Sequence, residues 1–552
     1  MNRTGFVARA RRTAGSARTG HEAAARAVFV GVVLAALALG LAFRLARADL
    51  RPMHHDEANQ AVKFGELLET GDYRYDRHDH HGPTLYYLTL PAAWLRGQHT
   101  LASLDERTLR AVPALFGGGL LLLFLPLARG LGRPAVAAAA VLAAVSPGLT
   151  FYSRFFIQES LLVFFAVGFL IALGRFVEGR RVSWAICAGA FAGLAYATKE
   201  TSIIVLPAAL AAVVLASLAT PSPRSVETAA ARPEPPRIGI GALAAGAGAA
   251  LLVTFVFYSS FFRHPGGFIE SIRAFDVYLG RGVGAGPHTQ PFDYYLRLLS
   301  YSSSGGLVWS EGVVIVLALV GLAAAAFARN AFWPRYVGLY TLIACAAFSA
   351  IRYKTPWNLL PFYAGAVLMA GYGTAALLGG VSSRAARTLV ALALLLAVSQ
   401  LAVQDWRANF RYPADPRNPY VYAHTVPDFL RLSRRVTDVA ALHPDRTGML
   451  VKVVAGPHEQ WPIPWYLRGM TRVGYWVTAA DAGRVDDAPV VIAAQDQAAA
   501  IGAALGDRCV QEFYGLRPDV ILTVFIDRAS WDRLLESRSG QTGTPAGAKG
   551  WP

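Results

Sequence analysis

Residues 27–57 read AVFVGVVLAALALGLAFRLARADLRPMHHDE. The run from Ala27 to Phe43 holds no charge, and at 1.5 Å per residue a helix over 27–46 is about long enough to cross roughly 30 Å of hydrocarbon. Arginines close the run, and within ten residues the chain reaches His54-His55-Asp56-Glu57. A membrane span delivering two adjacent carboxylates to the bilayer surface is the pattern that organises the rest of the chain. The upstream stretch is basic, and Ala46-Arg47-Ala48 imitates a signal-peptidase site. The long basic region and Arg44 inside the run favour an uncleaved first helix.

The same apolar signal recurs through the first 400 or so positions. Eleven spans are expected, at 27–46, 108–128, 135–152, 160–177, 183–198, 202–219, 238–260, 308–328, 333–350, 357–379 and 387–403. Across all 552 residues 54% are hydrophobic and only 16% charged, a composition that excludes an ordinary soluble enzyme. The net charge of +16 does not indicate nucleic acid, because the arginines sit in short clusters between apolar runs and form no basic face. Cys187, Cys345 and Cys509 are far apart and imply neither a disulfide framework nor a thiolate metal site.

Lys/Arg bias in short loops orients the chain. Arg3, Arg9, Arg11, Arg12, Arg18 and Arg26 place the N-terminal tail, 1–26, in the cytoplasm of a cell whose plasma or inner membrane the chain crosses. Alternation then also puts Arg129 and Arg133, Arg175 to Arg181, Arg224 to Arg237, Arg329 and Arg335, and Arg384 and Arg387 inside, which supports an odd number of spans. Outside lie the loops 48–107 and 261–307, the turns near 153–160, 199–201 and 352–357, and everything after 403. Residues 27–403 form the membrane domain. From 404 to 537 the apolar runs shorten to strand length, as at Met449–Ala455, Val490–Ala494 and Val520–Ile526, between helix-like stretches at Phe429–Leu442 and Gln497–Leu505. A small extracytoplasmic α/β domain is expected there. The segment 220–237 reads as a flexible linker and 538–552 as a disordered tail.

The chemistry-bearing residues collect on the outside segments. Asp56 and Glu57 suit a general base, the alternative being a solvated pair in a polar loop. Arg77-His78-Asp79-His80-His81 follows, with imidazoles and carboxylates near enough in sequence to share a metal or simply to be wet. Leu85 to Leu95 is too short to span and reads as an interfacial segment. Arg154, Gln158 and Glu159 are wedged between two spans, and Lys199-Glu200 between two more, where ionisable groups are costly unless paired or used. Arg352-Tyr353-Lys354-Thr355-Pro356-Trp357 puts two cations in a short outside turn, against the topological bias. Such cations would hold a departing lipid-linked phosphate, Arg bidentately and Lys as a point charge.

These features together resemble the GT-C superfamily of polyprenyl-phosphate-sugar-dependent glycosyltransferases, in the branch of the protein O-mannosyltransferases and lipid A aminoarabinose transferases. Asp56-Glu57 occupies the position of that superfamily's first-loop acidic motif. His81-Gly82-Pro83-Thr84-Leu85-Tyr86-Tyr87 is similar to its His-Pro-Pro-Leu-Tyr-Tyr element, departing at Gly82 and Thr84, and Tyr152 to Glu159 is similar to its second acidic motif. Ala197-Thr198-Lys199-Glu200-Thr201, Lys354-Thr355-Pro356-Trp357 and Trp461-Pro462-Ile463-Pro464-Trp465-Tyr466-Leu467-Arg468 resemble more closely a subgroup labelled flippase-associated proteins of archaeal N-glycosylation.

The resemblance implies an inverting glycosyltransferase with a polyprenyl-phosphate-linked sugar donor and a glycan, lipid or protein acceptor. Asp56, Glu57 and Glu159 would be catalytic, and His80, His81, Tyr86, Gln158, Glu200 and Trp357 would line the substrate site. A divalent cation, Mg or Mn, would sit on Asp56, Glu159 and His80. From side and charge, Arg154, Lys199, Arg352 and Lys354 are expected on the donor phosphate. The alternative is a non-enzymatic, flippase-associated or lipid-linked saccharide transport protein.

Overall fold

The computed structural model describes residues 3–79, 81–220, 239–283, 288–329 and 331–541. They divide into two compact units, one of 1–48, 73–89 and 110–412, the other of 49–72, 90–109 and 413–552. The predicted linker lies almost wholly outside the described residues, as does His80.

The first unit is a helical bundle, and helix occupies most of each of the eleven predicted spans. Among the described residues seven helices are long and apolar enough to cross a membrane: Glu22–Leu45, Glu106–Leu131, Glu159–Gly179, Ser202–Ala219, Ile240–Tyr258, Pro356–Gly380 and Arg384–Arg411. Arg133–Val145 and Pro147–Ser153, bent by 59° at their junction, make an eighth if taken as one span. The remaining three intervals are Val182–Tyr196 and Gly312–Phe327, which are short, and Phe332–Ala350, whose first turns carry Trp333, Pro334 and Arg335. Contiguous apolarity alone does not separate these from full spans.

The bend has a local cause. Pro147 has no N–H to continue the ladder, and Ser146 caps the new helix by accepting from Leu149 N–H at 3.3 Å. The buried Glu311 carboxylate accepts from Ser146 Oγ at 2.6 Å, Gly148 N–H at 2.8 Å and Tyr363 O–H at 2.6 Å, so the freed polar groups at the break are satisfied inside the protein. The segment read as the loop 261–307 is largely ordered, with helices Gly266–Val283 and Tyr294–Ser300 and a hairpin of β1 (Ser302–Ser304) and β2 (Leu307–Trp309). Gly305 and Gly306, both at positive φ, make its two-residue turn.

The second unit is built on a five-stranded sheet of β3 (Val451–Val454), β4 (Val473–Trp476), β5 (Val490–Ala494), β6 (Cys509–Arg517) and β7 (Val520–Asp527), in the order β4-β3-β5-β7-β6. β3 pairs in parallel with β4 and β5, and β7 runs antiparallel to β5 and β6. Phe429, Leu432, Val436 and Val439, at helical spacing, pack on one face against Val451, Val453, Ile492 and Val524. Ile501 and Leu505 cover the other face against Val491, Ala493 and Phe525. Burying each such side chain contributes about 1.5–3 kcal/mol, and the all-buried central strands are the ones legible as apolar runs.

Two expected boundaries move. The last membrane helix continues through a π-helical turn at Arg407–Arg411, so the C-terminal unit begins at Pro413 rather than 404. It also gathers 49–72 and 90–109, which had been assigned to the membrane domain. The final helix, Arg528–Gln541, runs four residues into the stretch read as a disordered tail, and 542–552 lie outside the described residues.

Candidate functional site

In the second unit the helix His55–Thr70 presents the two predicted carboxylates in different states. Its cap is a reciprocal box in which His54 Nδ1 accepts from Asp56 N–H at 3.1 Å and Glu57 Oε2 accepts from His54 N–H at 3.0 Å. Glu57 is fully buried and also lies 3.6 Å from Arg51 Nη2, so its carboxylate holds the helix start. The Asp56 side chain is 42% exposed. Of the predicted pair, Asp56 is the exposed one.

With Nδ1 accepting, the His54 ring donates through Nε2 to Tyr422 O at 3.1 Å, and its ring meets His424 edge-on at 5.0 Å. Met53 N–H donates to Tyr466 Oη at 2.9 Å and Thr425 Oγ to Met53 O at 2.8 Å, fixing the Asp56 segment to the C-terminal sheet unit. His55 lies against His458 and Trp461. Burial, with His54, Arg517 and His458 nearby, outweighs Asp56 and pushes its imidazole down to about 4. A folded pKa below the unfolded value means the unfolded chain binds the extra proton. Stability should therefore fall as pH drops from about 6.5 towards 4, and melting of the protein in detergent at pH 7 and pH 5 should show a smaller loss for His55→Asn than for wild type.

In the first unit the remaining predicted residues converge at one end of the bundle. Lys199 and Glu159 form a buried ion pair, and Glu159 Oε2 has no hydrogen-bond partner among the described residues. Beside Lys199, Glu200 accepts from His81 Nδ1 at 2.7 Å and from Tyr75 O–H at 3.3 Å. Burial alone would raise the Glu200 carboxyl, but His81 and Lys199 more than offset it and hold it below the ordinary glutamate value. The His81 side chain is 27% exposed, so a buried carboxylate orients a partly exposed imidazole.

The His81 segment lies on the Lys199 turn, with Thr84 N–H on Ala197 O at 3.2 Å and the Thr84 and Thr198 hydroxyls 2.7 Å apart. A Cβ on Gly82 would sit 2.2 Å from Ala197 O. The departure from Pro at this position thus has a steric reason. Gly82→Ala should cost about 1–3 kcal/mol, read as a lowered Tm.

The third predicted turn is strapped to the 288–290 segment. Lys354 N–H donates to His288 O at 2.9 Å, Gln290 N–H to Arg352 O at 3.0 Å, and the Lys354 ammonium to Gln290 O at 3.1 Å and to Ile351 O. Burial lowers the Lys354 pKa. Arg352 is exposed, and Trp357 packs on Tyr152, joining this turn to the second acidic motif.

Several assignments change. Arg154 is occupied with backbone: Nη1 donates to the carbonyls of Phe43 (2.6 Å), Arg44 (3.1 Å) and Ala46 (2.8 Å), and Nη2 to Arg47 O (2.9 Å), capping the first helix. Lys199 is neutralised by Glu159, and Lys354 serves as a strap, which leaves Arg352 as the open cation of the expected donor-phosphate set. Tyr86 is fully buried against Tyr73, and Gln158 is fully buried. Glu159 faces an ammonium, and among the described residues no group of three or more His, Cys, Asp or Glu side chains gathers to hold a metal; His80 of the expected ligand set lies outside them. Glu311 and Asp405, both fully buried, were not singled out, although the cost of a carboxylate at a span end flags both.

A family model described as dolichyl-phosphate-mannose-protein mannosyltransferase matches residues 89–229. ArnT from Cupriavidus metallidurans in the apo state is structurally similar at a TM-score of 0.58 and 16% identity, over 91% of this chain and 98% of that one. The same protein bound to undecaprenyl phosphate matches at 0.56 and 16%, over 90% and 97%. The archaeal oligosaccharyltransferase AglB from Archaeoglobus fulgidus, in complex with an inhibitory peptide and a dolichol-phosphate, matches at 0.52 and 13%, over 84% and 69%. No curated protein matches in sequence. What is shared at these identities is the fold, and it is the GT-C fold.

Proposed function

We propose that this chain, which has the GT-C fold, is a membrane glycosyltransferase that moves a sugar from a polyprenyl-phosphate-linked donor to an acceptor hydroxyl or amide on the extracytoplasmic face, with inversion. The observation that carries the reading is the buried cluster of Glu159, Lys199, Glu200 and His81, with Arg352 exposed on a turn joined to the same motif through Trp357 and Tyr152. Structural neighbours that hold undecaprenyl phosphate and dolichol-phosphate support the class of donor. Ionisable groups buried at the end of a membrane bundle are costly, which makes this cluster a candidate for function.

In this reading the acceptor proton goes to Asp56 as the acceptor atom bonds to the sugar C1, and the bond from C1 to the phosphate oxygen breaks. Polyprenyl phosphate departs with that electron pair. Arg352 meets its charge, and Glu200 orients the His81 ring. Lys354 and Lys199 are positioning residues, one holding the 288–290 strap and the other holding Glu159.

The test is turnover of a panel of synthetic polyprenyl-phosphate sugars by purified protein in lipid. Sugar transfer or donor hydrolysis is expected with at least one donor. Absence of turnover across the panel, together with protein-dependent movement of labelled lipid across the bilayer, replaces the enzyme with the flippase-associated alternative.

A further inference from the structure

The ends of the first and last membrane helices, Glu22–Leu45 and Arg384–Arg411, border an open cavity of about 350 Å³ lined by Arg47, Trp406, Phe410 and Arg411. None of these belongs to the Glu159, Lys199, Glu200 and His81 cluster. We infer that this cavity binds an anionic phospholipid of the surrounding bilayer, its phosphate on Arg47 and Arg411 and an acyl chain along the adjoining apolar helix surface.

Charge complementarity argues for an anion. Arg47 and Arg411 are among the lining residues, and no Asp or Glu is. Of the carboxylates nearest in sequence, Asp405 is fully buried and accepts from Asn409 Nδ2 at 2.6 Å within its own helix, and Asp49 pairs with Arg107 at 2.9 Å. Carbonyl groups at a helix C-terminus would normally attract arginine and repel phosphate. Here Arg154 takes the carbonyls of Phe43, Arg44, Ala46 and Arg47, so the Arg47 side chain is not needed as a cap and makes no hydrogen bond among the described residues. Arg411 uses Nε on Tyr412 Oη at 3.1 Å, and its terminal nitrogens have no hydrogen-bond partner among the described residues. Arg154 also lies over the Phe410 ring at 4.9 Å, adding a third cation behind the cavity wall.

The surroundings argue for a lipid rather than a free ion. Leu45, Val403 and Trp406 are exposed large apolar side chains on the two membrane-crossing helices that form the cavity. A Trp beside paired arginines at a span end matches the headgroup level of a bilayer, where guanidinium holds phosphate bidentately.

The test is native mass spectrometry of the full chain released from nanodiscs of phosphatidylcholine with or without phosphatidylglycerol. Wild type should retain one phosphatidylglycerol, and Arg47→Gln/Arg411→Gln should weaken that retention about tenfold or more, from about 1 kcal/mol per cation. The variant's melting in phosphatidylcholine alone should match wild type, and Arg47→Lys/Arg411→Lys should recover part of the binding. Equal retention by wild type and the Gln variant overturns the inference. So does displacement by millimolar inorganic phosphate, which makes the site one for a free anion, or by polyprenyl phosphate at equal concentration, which makes it part of the donor path. Neither result depends on turnover, so the inference and the glycosyltransferase reading fail separately.

Discussion

Asp56→Asn should lower transfer by about 10²–10⁴-fold while leaving Tm unchanged, the loss expected when a positioned general base is removed. Glu57→Ala, one residue on, should behave in the opposite sense. The Asp56 side chain is 42% exposed at the second position of its helix, 3.8 Å from the His54 ring. Glu57 is fully buried, accepts from His54 N–H and lies by Arg51, so its removal opens the capping box and should cost about 1–3 kcal/mol. Purified variants compared by thermal melting and by turnover per folded molecule separate the two roles. A destabilised Asp56→Asn, or a Glu57→Ala that melts like wild type yet is inactive, would reverse the assignment.

Glu159→Gln and Lys199→Met should each destabilise the protein by about 3–5 kcal/mol, because each strands a buried charge. The double variant should regain most of that stability, since a neutral amide beside an apolar side chain carries no desolvated charge. Activity should not return with it: the pair sits beside Glu200, and its loss removes the charge that helps hold Glu200 ionised on His81. Recovery of both stability and full turnover in the double variant would make the pair purely structural. Failure of the double variant to regain stability would mean the pair is not the main source of the cost.

Much of this was legible in the sequence, for identifiable reasons. Helix occupies most of every predicted span because apolar runs of span length report burial directly, and Phe429–Leu442 has the predicted bounds because its apolar face repeats at helical spacing. Central strands β3, β5 and β7 stood out as largely apolar runs, whereas the edge strands β4 and β6 are only partly buried. The cost argument for ionisable groups at span ends found Glu159, Lys199 and Glu200. It did not distinguish a side chain used on substrate from one used on backbone, which is why Arg154 was misread: its partners are carbonyls more than a hundred residues away, and carbonyls leave no trace in sequence. The same holds for Glu57, whose spacing of three from His54 fits a capping box that is not evident with His as the cap. The grouping of 49–72 and 90–109 with the C-terminal unit was also out of reach, because contacts such as Met53 to Tyr466 and Trp465 to Glu106 join segments hundreds of positions apart.

The central claim is that an open carboxylate and an open cation act on a lipid-phosphate-linked sugar. The most direct measurement is release of polyprenyl phosphate from a labelled donor by wild type, Asp56→Asn and Arg352→Gln, each confirmed folded by its melting curve. Release by wild type that falls at least a hundredfold in Asp56→Asn and markedly in Arg352→Gln is the predicted result. Release at wild-type rate in both variants would contradict it.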